Sequence, residues 1–286
     1  MVAFLGTGLL GANFTKALLA KGETVQVWNR SAGKAHALEA HGAIVRDSPA
    51  EAVKGTQRVH IVVSDDDAVN AVLAMAEAGL EPGTIILDHT TTTVEGAIQR
   101  TEQWKAKGHT YVHVPVFMGP ANALDSTGYM LISGDQAVAQ QVMPWIEAMT
   151  GKVLNYGENT GKAAGVKLIG NLFLLSLTGG LSDMLALGSA VGVTGGDIAQ
   201  LLDVWNPGAV TPARLHRILK NEFDHPSWEL QMARKDAHLM IQEAARGGKT
   251  IPATEAIAKQ MDEWLAKGYA KKDWMIVASG SLPTTH

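Results

Sequence analysis

A glycine pattern near the start of the chain constrains the fold more than any other feature. Gly6-Thr7-Gly8-Leu9-Leu10-Gly11 directly follows a strand-like run at residues 2–5 and directly precedes a helical run at residues 12–20. In such a strand, turn and helix the first glycine allows a tight turn, the second lets the backbone approach a pyrophosphate, and the third allows close helix packing. The free N–H groups at the start of the helix attract the anion. The pattern predicts dinucleotide binding by Gly6, Gly8, Leu9, Leu10 and Gly11, with an ordinary glycine-rich turn as the alternative.

Strand-like and helical runs alternate over the first 155 residues, and helical patterns alone follow. We predict strands at residues 2–5, 24–28, 58–63, 84–88, 111–115 and 129–133. We predict helices after Gly157 at about 161–190, 195–206, 211–219, 227–247, 253–266 and 272–279. Alternation of strands and helices is typical of a parallel sheet covered on both faces. The fold class is therefore α/β: an N-terminal Rossmann dinucleotide-binding domain at 1–156 and an all-α domain at 157–286, joined by a long helix, with the site in the cleft between them.

Composition excludes several classes of protein. The chain has 286 residues, of which 46% are hydrophobic, and no cysteine, so disorder, disulfides, thiolate metal sites and a cysteine nucleophile are excluded. The 24 basic and 28 acidic residues give a net charge of −4 and no basic patch for nucleic acid. The histidines are scattered, and although His109 and His113 are four residues apart, the strand-like stretch at 111–114 argues against a helical metal pair, so we expect no metal site. A small-molecule ligand is the remaining expectation.

Neither secretion nor membrane insertion is predicted. The first residues have no basic region, long apolar run or cleavage site of the signal-peptide type, so we expect a cytoplasmic protein. The segment 166–193 is apolar enough to resemble a membrane span. Polar side chains interrupt it at Lys167, Asn171, Ser176 and Asp183, and this pattern predicts a buried helix instead.

The residues that follow the second predicted strand distinguish the two nicotinamide dinucleotides. An NAD site usually places Asp or Glu here to accept hydrogen bonds from ribose hydroxyls, whereas arginine suits the 2′-phosphate of NADP. This chain has Asn29 at the acidic position, then Arg30 and Ser31, with Lys34 on the next helical turn. A guanidinium binds phosphate through two parallel hydrogen bonds. These four residues predict NADP(H), and a solvated helix start is the alternative for the two cations.

A lysine and an asparagine lie on one face of a predicted apolar helix. Lys167 and Asn171 are four residues apart, and the turns on either side are nearly all apolar. Burying an ammonium is unfavourable, so a lysine in this setting usually has a function or a partner. It could protonate the alkoxide that hydride transfer creates, with Asn171 positioning the amine or the substrate. The alternative is a lysine whose amine reaches the surface near the start of the helix.

Five motifs, spread over essentially the whole chain, are shared with a known family. They are Gly6 to Gly11 followed by Asn13, Asp88-His89-Thr90-Thr91-Thr92, Gly165-Val166-Lys167-Leu168-Ile169-Gly170-Asn171, Lys235-Asp236, and Gly268 to Asp273-Trp274. In these motifs the chain resembles the β-hydroxyacid dehydrogenases, which include enzymes of 3-hydroxyisobutyrate, glyoxylate and succinic semialdehyde.

The resemblance implies a role for each matching residue. Lys167 would be the catalytic acid/base, and Asn171 would help to hold the substrate. The positions implied to line the nicotinamide are Val63, Ser64, Asp65, Thr91 and Thr92, with Thr92 also bordering the substrate. The positions implied on the helical domain are Lys235, which approaches the cofactor, and Trp228 and Asp236, which lie at the substrate side.

One loop departs from the family pattern. The family has roughly Asp-x-Pro-Val-Ser-Gly-Gly, whose serine and glycine amides hold a substrate carboxylate. This chain has His113-Val114-Pro115-Val116-Phe117-Met118-Gly119-Pro120. Phe117 and Met118 replace a polar anchor with bulk, and Pro120 removes a backbone donor. The departure disfavours a small hydroxyacid and favours a more apolar aldehyde, ketone or imine, unless the change is only one of packing.

These observations lead to one hypothesis and two alternatives. We expect an NADPH-dependent reductase that delivers hydride to a small carbonyl compound while Lys167 supplies the proton. An imine reductase acting on C=N bonds is the first alternative, and a non-catalytic NADPH-binding protein is the second. The resemblance and the long apolar helix also predict a homodimer or homotetramer.

Overall fold

The computed structural model describes residues Met1–Leu282, and its first half is built on a six-stranded parallel sheet. The strand order is β3-β2-β1-β4-β5-β6, and every neighbouring pair is parallel. The strands are β1 Val2–Leu5, β2 Val25–Trp28, β3 Ile44–Val45, β4 Arg58–Ile61, β5 Ile85–Asp88 and β6 Thr110–His113. The strand order reverses between β1 and β4, where open α/β sheets bind ligands at the carboxyl ends of the strands. The predicted doubly wound α/β domain is confirmed.

Helices cover both faces of this sheet. They are α1 Leu9–Ala20, α2 Ala32–His36, α3 Pro49–Val53, α4 Asp66–Ala76 and α5 Val94–Ala106. Successive side chains of β1 point to opposite faces, so Phe4 packs with Phe14 of α1 while Leu5 packs with Leu73 of α4. All four strand residues of β1 are fully buried. The central strand therefore has no solvent-facing side, as its continuous apolar sequence predicts.

A second, three-stranded sheet follows the first along the chain. It contains β7 Val116–Phe117, β8 Tyr129–Ile132 and β9 Lys152–Asn155, with α6 Pro120–Asp125 and α7 Gln136–Glu147 between them. The strand predicted at residues 129–133 belongs to this sheet and not to the parallel one, because β8 pairs antiparallel with β7 and parallel with β9. The two-residue strands β3 and β7 were not predicted, since such short segments show no alternation, and the half-exposed β9 was not predicted either.

After β9 the regular elements of the described residues are all helical and are joined by loops. Its helices are α8 Lys162–Val191, α9 Gly195–Val204, α10 Thr211–Leu219, α11 Leu230–Arg246 and α12 Pro252–Ala266. The helix predicted at 272–279 is a 3₁₀ segment, Trp274–Ser281. Two compact units are present, Met1–Asn171 and Leu172–His286, so their division falls inside α8. The boundary expected at 156/157 stays a prediction about which part folds independently.

The part of the long helix α8 that lies in the second unit, residues 172–191, is largely exposed. Only 11% of the residues in its most apolar 18-residue window are buried, so the prediction of a helix buried within its own chain is wrong. By length and composition this helix is apolar enough to cross a membrane. Its one acidic residue, Asp183, is buried and accepts hydrogen bonds from the backbone N–H and the hydroxyl of Thr254, at 2.7 and 2.9 Å. Asp183 is thus paired with Thr254 of α12, and most of the large apolar side chains in this part of α8 are exposed.

Candidate active site

The three glycines of the first turn are required for different reasons. Gly6 has φ +95°, and a Cβ there would lie 2.1 Å from the carbonyl oxygen of Val62. A Cβ on Gly11 would lie 1.9 Å from the carbonyl oxygen of Gly6. Gly8 has nothing within 4 Å of a Cβ. The fold therefore needs glycine at positions 6 and 11, whereas Gly8 leaves open space where a ligand would approach.

The start of α1 presents free donors beside that space. Gly8 is the N-cap and supplies no side-chain hydrogen bond, and the first backbone bond of the helix runs from Ala12 N–H to the Gly8 carbonyl oxygen at 2.9 Å. The N–H groups before Ala12 at the helix start therefore point out of the helix without a helical acceptor. The buried hydroxyl of Thr7 also has no partner among the described residues. A helix N-terminus with unpaired donors is a binding site for an anion such as a pyrophosphate.

A cavity of about 620 Å³ lies at this turn, within the first unit. Its walls bring together ten of the residues predicted to bind cofactor and one from the predicted substrate loop, with the adjoining apolar side chains of α4. The predicted residues that line it are Gly6, Gly8, Leu9, Leu10, Asn29, Arg30, Ser31, Lys34, Val63, Ser64 and Met118. Pro120 also lines it. Gly11 lies behind the wall, where it allows α1 to pack closely.

Two residues after β2 have distinct places in this cavity. Asn29 accepts a hydrogen bond from the Thr7 N–H at 2.9 Å and donates to the Ser31 carbonyl at 3.0 Å, so it ties the glycine turn to the end of β2. Arg30 is exposed and has no hydrogen bond or ion pair with any residue from Met1 to Leu282. Its guanidinium and the amine of Lys34 thus line the cavity with uncommitted positive charge.

The loop after β4 is arranged by α4 and by the loop after β5. Val63 N–H donates to the hydroxyl of Thr90 at 3.1 Å, which joins the two loops. Asp65 caps α4 by accepting from the Ala68 N–H at 2.9 Å, and this hydrogen bond lowers the pKa of Asp65. Asp65 is therefore the N-cap of α4, with Asp66 and Asp67 in the first turn of that helix. Asp65 itself does not line the cavity.

The threonines after β5 differ in exposure. Thr91 is half-buried, whereas the hydroxyl of the buried Thr92 lies 3.2 Å from Nε2 of His113 and 3.4 Å from the Thr93 carbonyl oxygen. Neither threonine lines the 620 Å³ cavity. Their implied contacts with the nicotinamide remain predictions.

A buried polar network, which was not predicted, holds this threonine loop. The Tyr111 hydroxyl donates to Asp88 at 2.6 Å, and Arg100 donates to Tyr111 at 2.9 Å and to Asp66 at 2.7 Å. Burial and the Asp88 carboxylate raise the pKa of Tyr111 well above its usual value, so the phenol remains a donor. Asp66 in turn accepts from the Thr93 N–H at 2.9 Å. Arg100 in α5 could have indicated this network, because a helix that faces an apolar sheet rarely buries a guanidinium without hydrogen-bond partners.

Lys167 and Asn171 form the predicted pair on α8. Lys167 is 9% exposed, and its Nζ donates to Oδ1 of Asn171 at 3.1 Å. Burial lowers the pKa of Lys167 from the ordinary lysine value. The ring of Phe117 also contacts this amine, with its centroid 4.4 Å from Nζ. The structure therefore brings Lys167, Asn171 and Phe117 together, and Met118 joins this cluster along the chain to the cavity.

The loop from Phe117 to Pro120 offers few donors. The Gly119 N–H donates to Oδ1 of Asn122 at 2.9 Å, so it is already used within the loop. Pro120 has no N–H and begins α6. Phe117 has no hydroxyl where the family pattern has one. The sequence-based description of an anchor lost from this loop agrees with these contacts.

The predicted residues of the helical half lie in the second unit. Lys235 and Asp236, on α11, form an ion pair with each other at 2.9 Å. Trp228 packs edge-on against Trp274, with ring centroids 5.9 Å apart. The roles of these three residues toward the cofactor and substrate remain predictions.

The described residues fit a dinucleotide. The unpaired N–H groups of α1 suit a pyrophosphate, and the open space beside Gly8 allows its approach. The cations Arg30 and Lys34, with the Ser31 hydroxyl, suit a 2′-phosphate. The side chain of Asn29 stands where a carboxylate would repel that phosphate.

Comparison with known proteins supports this fit. Residues 1–157 match the family described as the NAD binding domain of 6-phosphogluconate dehydrogenase. The chain is 28% identical over 283 residues to glyoxylate/succinic semialdehyde reductase 1 of Arabidopsis thaliana, covering 96% of each. It is 28% identical over 268 residues to a probable 3-hydroxyisobutyrate dehydrogenase-like protein of the same plant, covering 91% of this chain and 78% of the relative.

The fold is also that of a solved enzyme. An imine reductase from Myxococcus stipitatus in complex with NADP⁺ superimposes with a TM-score of 0.91 at 20% identity, covering 97% of this chain and 98% of the other. At that identity the likeness concerns the fold alone. Because the family match covers the whole glycine-turn domain and the relatives extend along nearly the whole chain, the protein belongs to the β-hydroxyacid dehydrogenase family of NAD(P)-dependent oxidoreductases.

Proposed function

We propose that the protein is an NADPH-dependent reductase that transfers hydride to a small aldehyde or ketone, with Lys167 as proton donor. The observation that carries the proposal is the buried amine of Lys167, which is hydrogen-bonded to Asn171 and forms no ion pair with any residue that the structure describes. An amine in this position has no structural ion pair to explain it. Its chemistry therefore fits the proton that carbonyl reduction requires.

The cavity residues support NADPH as the reductant. Arg30, Ser31 and Lys34 would hold the 2′-phosphate, and the start of α1 would hold the pyrophosphate. When bound, the nicotinamide supplies the hydride. Asn29 preserves the shape of the turn through its bonds to Thr7 and Ser31, without a negative charge next to the phosphate.

The amine of Lys167 has two tasks in the reduction. Its N–H groups would polarise the substrate oxygen as negative charge develops there, and one proton would pass to that oxygen. Because burial lowers its pKa, Lys167 gives up a proton more readily than an exposed lysine. Asn171 would hold Nζ in place, since its Oδ1 accepts one of the three N–H bonds.

The substrate class follows from the loop at 117–120. A carboxylate bound there would find neither a hydroxyl nor a free Gly119 N–H, and an unpaired buried carboxylate is strongly disfavoured. We therefore expect a neutral, more apolar carbonyl compound in preference to glyoxylate. Comparable kcat/KM values for glyoxylate and for a bulkier neutral aldehyde would contradict this substrate class.

A panel assay tests the function as a whole. NADPH oxidation would be followed with small oxoacids, semialdehydes, apolar aldehydes and ketones, and cyclic imines. The proposal expects the fastest turnover with neutral carbonyl compounds. NADPH binding without oxidation by any member of the panel would instead identify a non-catalytic cofactor-binding protein.

Imine reduction is the second candidate. It is favoured by the apolar loop at Phe117 and Met118 and by the likeness of fold to an NADP⁺-bound imine reductase. An ammonium can protonate nitrogen as well as oxygen, so Lys167 is compatible with either substrate. Turnover of cyclic imines exceeding that of every carbonyl compound would favour this candidate.

We also propose that the exposed face of α8 is covered by a second copy of the chain. Its most exposed apolar side chain is Leu175, at 75%, and Leu172, Phe173, Leu174 and Leu177 are each more than half exposed. Between residues 172 and 191 this helix carries no charged residue apart from the buried Asp183. A partner must therefore be equally apolar, and the same face of another copy meets that requirement. A cytoplasmic location remains part of this proposal.

A further inference from the structure

The ring of Phe117 rests against two different groups of α8. Its centroid lies 4.4 Å from Nζ of Lys167, within the range of a cation–π interaction. Its far edge faces Gly170, where a Cβ would lie 2.2 Å from Cζ and 2.6 Å from Cε1 of the ring. Phe117 lies in β7, whereas Lys167 and Gly170 lie in α8, more than forty residues later in the sequence. The contact is therefore a product of the tertiary fold.

Gly170 differs from the other glycine near Lys167 in this helix. A Cβ on Gly165 would meet only Cγ2 of Val94, at an ordinary contact distance of 3.6 Å. A glycine inside a helix lowers its stability by about 1 kcal/mol relative to alanine. Position 170 needs a glycine because a side chain there would overlap the ring of Phe117. Position 165 has room for a methyl group.

We propose that Phe117 is a positioning residue for Lys167, that its ring holds the charged amine in the donor geometry, and that Gly170 exists to admit the ring. This inference rests on the proposed function, in which Lys167 is the proton donor. The ring face and Oδ1 of Asn171 act on Nζ together, so the amine is held by two contacts instead of one.

The electrostatic balance at Nζ explains why a ring is useful. Burial lowers the pKa of Lys167, and no carboxylate of the described residues pairs with its amine. Burial shifts the balance toward the neutral amine, which does not act as an acid near neutral pH. The electron-rich face of an aromatic ring favours the ammonium without introducing a carboxylate that would fix it as an ion pair. Phe117 thus shifts the balance toward the ammonium, from which a proton can still be released.

A shape-preserving substitution tests the electrostatic part. Phe117 would be replaced by 2,6-difluorophenylalanine, which weakens the negative ring face and leaves Cζ and Cε1, the atoms facing Gly170, unchanged. The pKa of Lys167 would be measured by NMR of ¹³C-labelled lysine, with Lys167→Ala identifying the signal. We expect the pKa to fall by about half a unit to one unit. An unchanged pKa would overturn the proposal, because the ring would then act by packing alone.

The steric part is tested by a pair of glycine variants. Gly170→Ala should displace the ring, since the conflict is with the far end of a side chain that can rotate. We expect it to lower the pKa of Lys167 in the same direction and to slow single-turnover hydride transfer by about two- to tenfold. Gly165→Ala is the matched control and should change neither quantity.

A double-variant comparison makes the test independent of folding. In the Phe117→Leu background there is no ring to displace, so Gly170→Ala should have much less effect than in the wild-type chain. Equal effects in both backgrounds would contradict the role of Gly170. The NMR measurement needs no substrate, so it distinguishes failure of this inference from failure of the proposed function. Normal turnover by Lys167→Ala would remove the catalytic role of the lysine. The contact between Phe117 and Lys167 would still be tested by the pKa of Lys167 in the ring variant.

Discussion

At the scale of single residues, the two cations of the site, Lys167 and Arg30, differ in burial and in their contacts. Lys167 is nearly buried and has two contacts, Asn171 and the ring of Phe117. Arg30 is exposed at the cavity wall and has no partner among the described residues. A pre-arranged amine suits a chemical step, whereas an uncommitted guanidinium suits ligand binding. The two residues should therefore affect different kinetic quantities.

Removing the amine should affect turnover and not cofactor binding. Loss of a general acid typically costs a factor of about 10² to 10⁴ in rate. We expect Lys167→Ala to slow single-turnover reduction by that factor, with the Kd for NADPH unchanged. Lys167→Arg should not restore the rate, because a guanidinium does not release a proton near neutral pH. Near-normal turnover by Lys167→Ala would refute the assignment.

The pH dependence of the wild-type rate provides a related check. The lysine must be protonated to act, so the rate should be highest below its pKa and fall as the pH rises through it. Because burial lowers that pKa, the fall should occur below the pH expected for an exposed lysine. The measurement is the single-turnover rate between pH 6 and 11. A profile that stays flat through this range would indicate a different donor.

Removing the guanidinium should affect the choice of cofactor. Hydrogen bonds to a charged group contribute about 1.5 to 3 kcal/mol, so Arg30→Ala should weaken NADPH binding by roughly ten- to a hundredfold. NADH lacks the 2′-phosphate, and its affinity serves as the internal control. Titration of both cofactors by nicotinamide fluorescence measures the two values. A preference for NADPH that survives in Arg30→Ala would contradict the role of this residue.

At the scale of secondary-structure elements, the glycine turn separates folding from binding. Gly11 is enclosed by the carbonyl of Gly6, whereas Gly8 faces open space. We expect Gly11→Ala to lower Tm and Gly8→Ala to leave Tm unchanged while weakening NADPH binding by tenfold or more, because the new methyl group occupies the approach to the pyrophosphate. Thermal denaturation without cofactor and a binding titration measure the two effects. A lowered Tm in Gly8→Ala would show that the open space is filled by the protein itself.

A row of hydrogen bonds crosses the buried parallel sheet from β4 to β6. Arg58 Nε lies 3.3 Å from His60 Nε2, His60 Nδ1 lies 2.9 Å from His89 Nε2, and His89 Nδ1 lies 2.8 Å from the carbonyl oxygen of Val114. The Val114 carbonyl can only accept, so each neutral imidazole donates through Nδ1 and accepts through Nε2. Adding a proton to either ring removes an acceptor from the row.

Acid should therefore destabilise the fold before most carboxylates titrate. Burial lowers the pKa of His89 to about 4 and that of His60 well below 6.5. Since the unfolded chain binds these protons near pH 6.5, their contribution to stability is present above that pH and is lost as the pH falls toward 4. For His89 alone the loss is about 3 kcal/mol once the pH is below 4, and about 2 kcal/mol of it is already present at pH 5. Urea unfolding at pH 7.5, 6 and 5 measures it, with the exposed His36→Ala variant as control. Equal unfolding free energies at all three pH values would contradict this account.

The same elements indicate how far a sequence predicts such a site. The glycine turn and the segment 29–34 were predicted because all their chemistry lies within a few residues. The contact of Phe117 with Lys167, and the network through Asp66 and Arg100, join residues 34 to 50 positions apart. No local pattern encodes such pairs, because they depend on which helix packs beside which strand.

At the scale of the whole molecule, the helical half carries more apolar surface than a single chain covers. Besides the exposed face of α8, Val204 at the end of α9 and Trp205 directly after it are 85% and 55% exposed. Exposed apolar patches of this kind mark sites of association. The extent of this surface could not be predicted from sequence, because a buried helix and a helix at an interface have the same composition.

Association should be measurable and should break at the centre of the face. We expect a dimer or a larger assembly by light scattering and a Tm that rises with protein concentration. Leu175→Lys should shift the assembly toward monomer, because it places a charge in an apolar interface. Lys105→Ala, an exposed substitution in the first unit, is the control and should leave the mass of the assembly unchanged. A wild-type monomer at micromolar concentration, or sedimentation of the protein with lipid vesicles, would contradict the assembly proposed.

The open space beside Gly8 also bears on how this chain would change over evolutionary time. Gly6 and Gly11 are held by the protein's own backbone, so any descendant that keeps the fold must keep them. No residue in the described part of the chain requires glycine at position 8; a bound dinucleotide would. A lineage that ceased to use the cofactor would therefore be free to drift at position 8 while positions 6 and 11 stayed fixed. The residue found there in a relative of the same fold is thus a record of whether selection for dinucleotide binding has continued.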